Sequence, residues 1–164
     1  MKIKIFFLVI RLSFITLTGY EIYSIWQDFE PVEIVAVHKN KVVSNVLVKN
    51  FPVTDRGKLD WWQKNHAWLK EKYGVPEFAQ DGSFSVWFWR FGDGYKKLPT
   101  HDFRLSVNTP QFLCFREMKT EKNCIEKDPL LTVDTGSDGS IYYTLFEGSY
   151  RQRPGGKIEI IEWE

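Results

Sequence analysis

The sequence predicts an α+β fold: an N-terminal transmembrane helix, followed by a mainly antiparallel β-sheet domain that carries one main amphipathic helix. Three observations predict it. An apolar run opens the chain, the segment around residues 54–76 switches to a helical period, and the stretches on either side read as strands between Gly, Asn and Pro corners. A length of 164 residues suits one domain plus an appendage. Residues 1–28 form the cytoplasmic tip and anchor, and residues 29–164 the folded domain beyond the membrane.

The opening run, "IFFLVIRLSFITLTGYEIYSIW" at residues 5–26, decides the topology. At about 1.5 Å per residue it extends roughly 33 Å, close to a hydrocarbon thickness of about 30 Å. Arg11 interrupts it, at a cost of at most about 3 kcal/mol, while each Ile, Leu, Phe or Val returns about 0.3 to 0.6 kcal/mol. Arg11 also lies in the N-terminal third, where its stem reaches back toward Lys2 and Lys4. Tyr20, Tyr23 and Trp26 supply the aromatic belt at the far end, beside Glu21. Cations precede the span and Glu21, Asp28, Glu30 and Glu33 follow it, so the N-terminus is expected in the cytoplasm and the C-terminal domain in the periplasm, anchored in the inner-membrane lipid bilayer. The alternatives are a cleaved signal, which lacks a small-x-small site better than Leu17 to Gly19, and a buried core segment.

The remaining elements follow in order. "VEIVAVH" and "VSNVLVKN" flank the corner Lys39-Asn40-Lys41 and predict a hairpin. Leu59, Trp62, His66, Leu69 and Tyr73 make one helical stripe, with Thr54 or Asp55 as the N-cap, Lys70 and Lys72 in the last turn, and Gly74 with Pro76 as the stop. Trp61 and Trp68 form a second ridge. Ser83 to Phe91 is a strand with aromatics on both faces: Phe84, Val86 and Phe88 on one, Trp87, Trp89 and Phe91 on the other. A Gly-Asp-Gly turn and a return strand from near Tyr95 follow, then an irregular polar excursion at 99–111. "LLTVDT", "SIYYTLFEG", "SYRQR" and "KIEIIEWE", cut by turn residues, predict a closing antiparallel meander.

Composition excludes one class of partner and points to an oxidising compartment. The formal net charge is +1, and no run of Lys or Arg is dense enough to track a phosphate backbone, so nucleic acid is not expected. Cys114 and Cys124, both in the exported part, are expected to form a disulfide; two buried thiols are the alternative. His38, His66 and His101 lie on a strand, a helix and a loop without metal-ligand spacing, the serines lack a nucleophile elbow, and "GDG" is too short for a phosphate loop. Neither a cofactor, a metal nor a catalytic activity is expected.

"PVEIVAVH", "LVKNFPVTDRGKLDWW", "LKEKYGVP", "FWRFGDGYK" and "CFREMKTEKNCIEKD" resemble the successive signatures of an uncharacterised family of short enterobacterial proteins, a domain of unknown function, in order from about Gly19 to Asp128. The resemblance implies a single-pass anchor. It also implies gene neighbourhoods of polymorphic toxins, and hence an immunity protein that binds and neutralises a toxin. The chain departs from the pattern at Arg11 and in the longer stretch "LPTHDFRLSVNTPQFL", a candidate recognition loop. The residues expected at a protein-partner surface are Trp87, Trp89, Arg90, Asp93 and Tyr95, rigid aromatics beside charge, with simple packing as the alternative. A second function class is a small-ligand or glycan-binding accessory of the periplasm, with the Trp-rich strand as a stacking platform.

Overall fold

Strands β1 (Glu33–Asn40) and β2 (Val43–Lys49) pair as the expected antiparallel hairpin, Asn40 opposite Val43, with Lys41 at a left-handed φ of 55° in the connection. This computed structural model describes residues 31–98 and 112–161. The membrane-spanning helix expected over residues 5–26 and the excursion at 99–111 lie outside those residues. Among the described residues no helix is long and apolar enough to cross a membrane.

Helix α1 (Asp55–Tyr73) starts and stops on the residues that the chemistry of caps requires. Thr54 is extended, and its hydroxyl accepts the Gly57 N–H at 3.1 Å. A Cβ on Gly57 would stand 2.9 Å from the Thr54 hydroxyl and 3.0 Å from Pro52 Cβ, so a side chain here would push the cap apart. At the other end Gly74 takes a left-handed φ of 68°, and its N–H and that of Val75 close onto the carbonyls of Lys70 and Leu69. Asp55 and Lys58 are buried together in the first turn at 3.4 Å, an ion pair shielded from water.

The helix is the crossover between β2 and β3 (Ser85–Arg90), which pair in parallel, Val43 beside Ser85 through Val48 beside Arg90. This is the sole parallel ladder of a seven-stranded sheet among the described residues. The others are β7 (Pro129–Thr135), β8 (Ile141–Thr144), β9 (Ser149–Gln152) and β10 (Ile158–Ile161), in the order β1-β2-β3-β7-β8-β9-β10, so the C-terminal meander takes the form expected. The return strand from Tyr95 does not. β4 (Lys96–Lys97) leaves β3 and joins a second, three-stranded sheet, pairing with β6 (Lys122–Glu126), which also pairs with β5 (Phe112–Cys114). Cys114 and Cys124 face each other across β5 and β6 and are disulfide-bonded.

Three layers result, and β3 is the boundary between two cores. On the helix side Val46, Val48, Val86, Phe88, Leu131, Val133 and Tyr143 meet Leu59, Trp62 and Leu69. On the other side Leu47 and Trp89 meet Phe115 and Ile125 of the small sheet and its loop. The alternation read along Ser83 to Phe91 is therefore realised on both faces. Within the helical stripe Leu59, Trp62 and Leu69 are buried, while His66 is exposed and turns its Nδ1 to the Trp62 and Gln63 carbonyls at 3.2 and 3.0 Å. Of the second ridge, Trp61 packs against the core and Trp68 stays 39% exposed. Burial raises the Tyr143 phenol to about 12, offset in part by hydrogen bonds from the Gln63 and Trp62 side chains.

This division predicts unequal costs for two neighbouring residues. Leu69→Ala leaves a cavity at a fully buried position and is expected to lower unfolding free energy by about 2–5 kcal/mol, whereas Trp68→Ala is expected to cost about 1 kcal/mol or less. Chemical denaturation of both variants checks this; equal costs would contradict the assigned helix face.

Candidate functional site

The residues expected at a partner surface are distributed by the fold among three places. Arg90 and Asp93 lie at the end of β3 and its turn, in a charge network: Arg90 Nε reaches Asp128 at 2.6 Å, and Lys96 Nζ reaches Asp93 at 3.1 Å and Glu126 at 2.6 Å. These two carboxylates hold the Lys96 amine above its ordinary value. Each cation of the network is paired within it, three carboxylates against two cations, and exposed pairs of this kind contribute little to stability.

Tyr95 belongs to a second cluster, built on His38. The imidazole Nδ1 lies 2.6 Å from Glu117 Oε1, and its Nε2 lies 2.7 Å from the Tyr95 hydroxyl. One face of the ring stacks on Phe115 at 3.7 Å, with the planes 11° apart. Burial, then the Glu117 charge, push the Tyr95 phenol above its ordinary value. The cluster borders a cavity of about 320 Å³, also lined by Asn45 and Cys114. With both ring nitrogens engaged, the imidazole has none left for a substrate, and the array acts as a clamp between β1 and the disulfide-closed loop. Sequence reading missed it because His38 and Glu117 are 79 residues apart. Their signal was the cysteine pair, which holds Glu117 within a short loop. Elsewhere, His66 meets backbone carbonyls and His101 lies outside the described residues. Among the described residues no three His, Cys, Asp or Glu side chains gather at metal-binding distance.

Trp87 opens the third place, on the sheet face opposite the helix. Its ring stacks on Trp89 at 5.3 Å, 14° from parallel. Trp89 is 5% exposed and gives its indole N–H to Asn45 Oδ1 at 2.9 Å, so it is a fixed backing that carries no outer surface of its own. The Trp87 indole N–H donates to the Ser85 hydroxyl at 2.8 Å, and Ser85 donates to Asp134 across the β3–β7 ladder. Register then extends the face: Trp87 pairs with Thr132, Thr132 with Thr144, and Asp134 with Tyr142. Trp87, Thr132, Asp134, Thr144 and Phe146 line a cavity of about 500 Å³.

Two side chains in this groove stand apart from ordinary packing. Phe146 is 95% exposed at the tip of the β8–β9 hairpin, which the Leu145 N–H closes onto the Gly148 carbonyl at 3.0 Å, while its neighbour Leu145 is buried. A bare phenyl ring on a pinned turn gains nothing for the fold. In sequence Phe146 is indistinguishable from the strand "SIYYTLFEG"; its place just before Gly148 was the available signal. Asp134 is half-buried, and among the described residues no Lys, Arg or His nitrogen lies within ion-pair distance of it. Burial pushes its carboxyl above the ordinary value, against the opposing Ser85 hydrogen bond.

An acid whose folded value exceeds its unfolded one holds its proton more tightly in the fold. Its contribution therefore favours folding at acid pH and is lost as pH rises through the folded value. Asp134→Asn, which still accepts from Ser85, is expected to equal the natural protein in thermal stability at acid pH and to exceed it at neutral pH. Paired melting curves check this; a variant less stable at neutral pH would contradict the account of an uncompensated carboxylate.

No curated protein and no solved structure matches the chain. A family model described as "Enterobacterial putative membrane protein (DUF943)" matches residues 2–162, extending the resemblance read over Gly19 to Asp128 to nearly the whole length. The aligned span takes in the apolar N-terminal run, both cysteines and every residue of the Trp87 groove, and the chain therefore belongs to this enterobacterial family of unknown function.

Proposed function

We propose that the chain is an inner-membrane-anchored protein whose folded domain lies in the periplasm and binds another protein through the groove between Trp87 and Phe146, and that the partner is a bacterial toxin it neutralises. The observation that carries the binding reading is Phe146, a large apolar side chain almost wholly in water at a hydrogen-bonded hairpin tip beside a half-covered tryptophan. Interface anchors are commonly aromatic rings of this kind, which bury a large apolar area on docking. The apolar run at residues 5–26, the description of the family as a membrane protein and the disulfide support the anchored, exported placement. A tether confines the groove to the layer where an incoming toxin acts, so modest intrinsic affinity suffices at high local concentration.

A glycan-binding reading has one observation in its favour, the Trp87 ring flanked by the hydroxyls of Thr132 and Thr144. Burial of Trp89 reduces the two-ring platform to a single ring.

Growth of cells expressing the product of the neighbouring gene, with and without this chain, tests the leading reading, in which that product is a toxin. The natural chain is expected to restore growth and to co-purify with the toxin, and Phe146→Ala to weaken capture by about tenfold or more. Absence of both protection and capture by the natural chain overturns it. A C-terminal reporter active only outside the cytosol is expected to give signal; a signal from a cytosol-active reporter instead overturns the topology.

A further inference from the structure

We infer that the Trp87 groove is shaped for a cationic side chain, arginine foremost, presented by the protein partner: its guanidinium lies on the outer face of Trp87 and pairs with the Asp134 carboxylate. The inference rests on the protein-binding reading above and specifies the chemistry of the contact.

Three features of the groove converge on a planar cation. Trp89 occupies one face of the Trp87 ring, and Trp87 lines the cavity, so the face left for a stacking ligand is the opposite one. Ser85 bridges the indole N–H and Asp134, so ring and carboxylate are held one hydroxyl apart and the carboxylate is fixed beside the ring. Asp134 holds its carboxylate half-buried with no cation from the described residues within ion-pair distance to compensate it. The nearest cation by register, Arg151, stands one strand further, beyond Tyr142, and its field acts on Asp138. Phe146 adds a second ring at the rim, and Glu147 follows it at the same hairpin tip with further negative charge.

A neutral hydroxylated ligand would stack on Trp87 but leave that carboxylate uncompensated. An ammonium would compensate it without stacking flat. A guanidinium does both, because it is planar, weakly hydrated and able to donate two parallel hydrogen bonds to a carboxylate. Burial raises the affinity of the Asp134 carboxyl for a proton, and a guanidinium supplies the positive charge that the proton otherwise provides.

The test uses the full chain in detergent micelles, with the seven tryptophans labelled so that their indole N–H signals are resolved and Trp87 is assigned from the signal missing in Trp87→Phe. The probes are N-acetyl-arginine amide, its neutral isostere N-acetyl-citrulline amide, and methyl glucoside. The Trp87 signal is expected to shift saturably with the arginine probe and about tenfold more weakly with citrulline, a difference that Asp134→Asn removes. Equal binding of arginine and citrulline overturns the inference, and saturable binding of the glucoside alone overturns it in favour of a glycan. Toxin capture separates it from its parent. Capture lost in Phe146→Ala but retained in Asp134→Asn removes only the cationic anchor, whereas capture unaffected by either removes the groove as the binding surface. Melting curves of each variant confirm that it is folded.

Discussion

β3 has to bury aromatic side chains on both of its faces, and the other elements are arranged as the two coverings that this requires. Phe84, Val86 and Phe88 need a hydrophobic lid, which α1 supplies with Leu59, Trp62 and Leu69. Trp89 and Phe91 need another, which the small sheet and its loop supply with Phe115 and Ile125. At roughly 25 cal/mol per Å² of apolar surface removed from water, rings of this size are the largest single contributors available to so short a strand. The small sheet has few residues with which to hold its position. The disulfide between β5 and β6 and the Glu117–His38–Tyr95 clamp onto β1 fix its place. Trp87 packs only partly buried at the margin of that cluster, where it also lines the groove.

What the sequence discloses is what is local. The hairpin corner at Lys41, the Thr54 and Gly74 caps, the stripe through Leu59, Trp62 and Leu69 and the two faces of β3 are each written within a few residues, and each stands in the fold as read. His66 lay on the same stripe yet faces water, its polar ring turned to the Trp62 and Gln63 carbonyls of its own helix. The parallel β2–β3 ladder was illegible for a different reason: its partners are separated by the whole of α1. β4 and β5, with two and three residues, are too short to show any period.

The groove was legible by half. Trp87 announced itself by its type and by sharing a face with Trp89. Asp134 did not, because its significance arises only from the register that sets it opposite Ser85, and from the lack of a cationic neighbour among the described residues. Of the aromatic and charged residues around Trp87 that resemble a binding surface in sequence, Trp89 is absorbed by packing, Arg90 and Asp93 by ion pairs, and Tyr95 by the imidazole of His38. A protein surface is thus recognised by what remains unsatisfied after folding, and that remainder is a tertiary property.

The parallel β2–β3 ladder also sets an order of assembly. β1 and β2 can zip up as soon as they leave the exit of whatever delivers the chain, since their contacts are adjacent in sequence. β2 cannot gain its second neighbour until α1 and the segment behind it have emerged, and β3 in turn waits for β7, beyond the whole of the small sheet. Until those later segments arrive, the apolar faces of β2 and α1 lack the cover that β3 and β7 give them in the finished sheet.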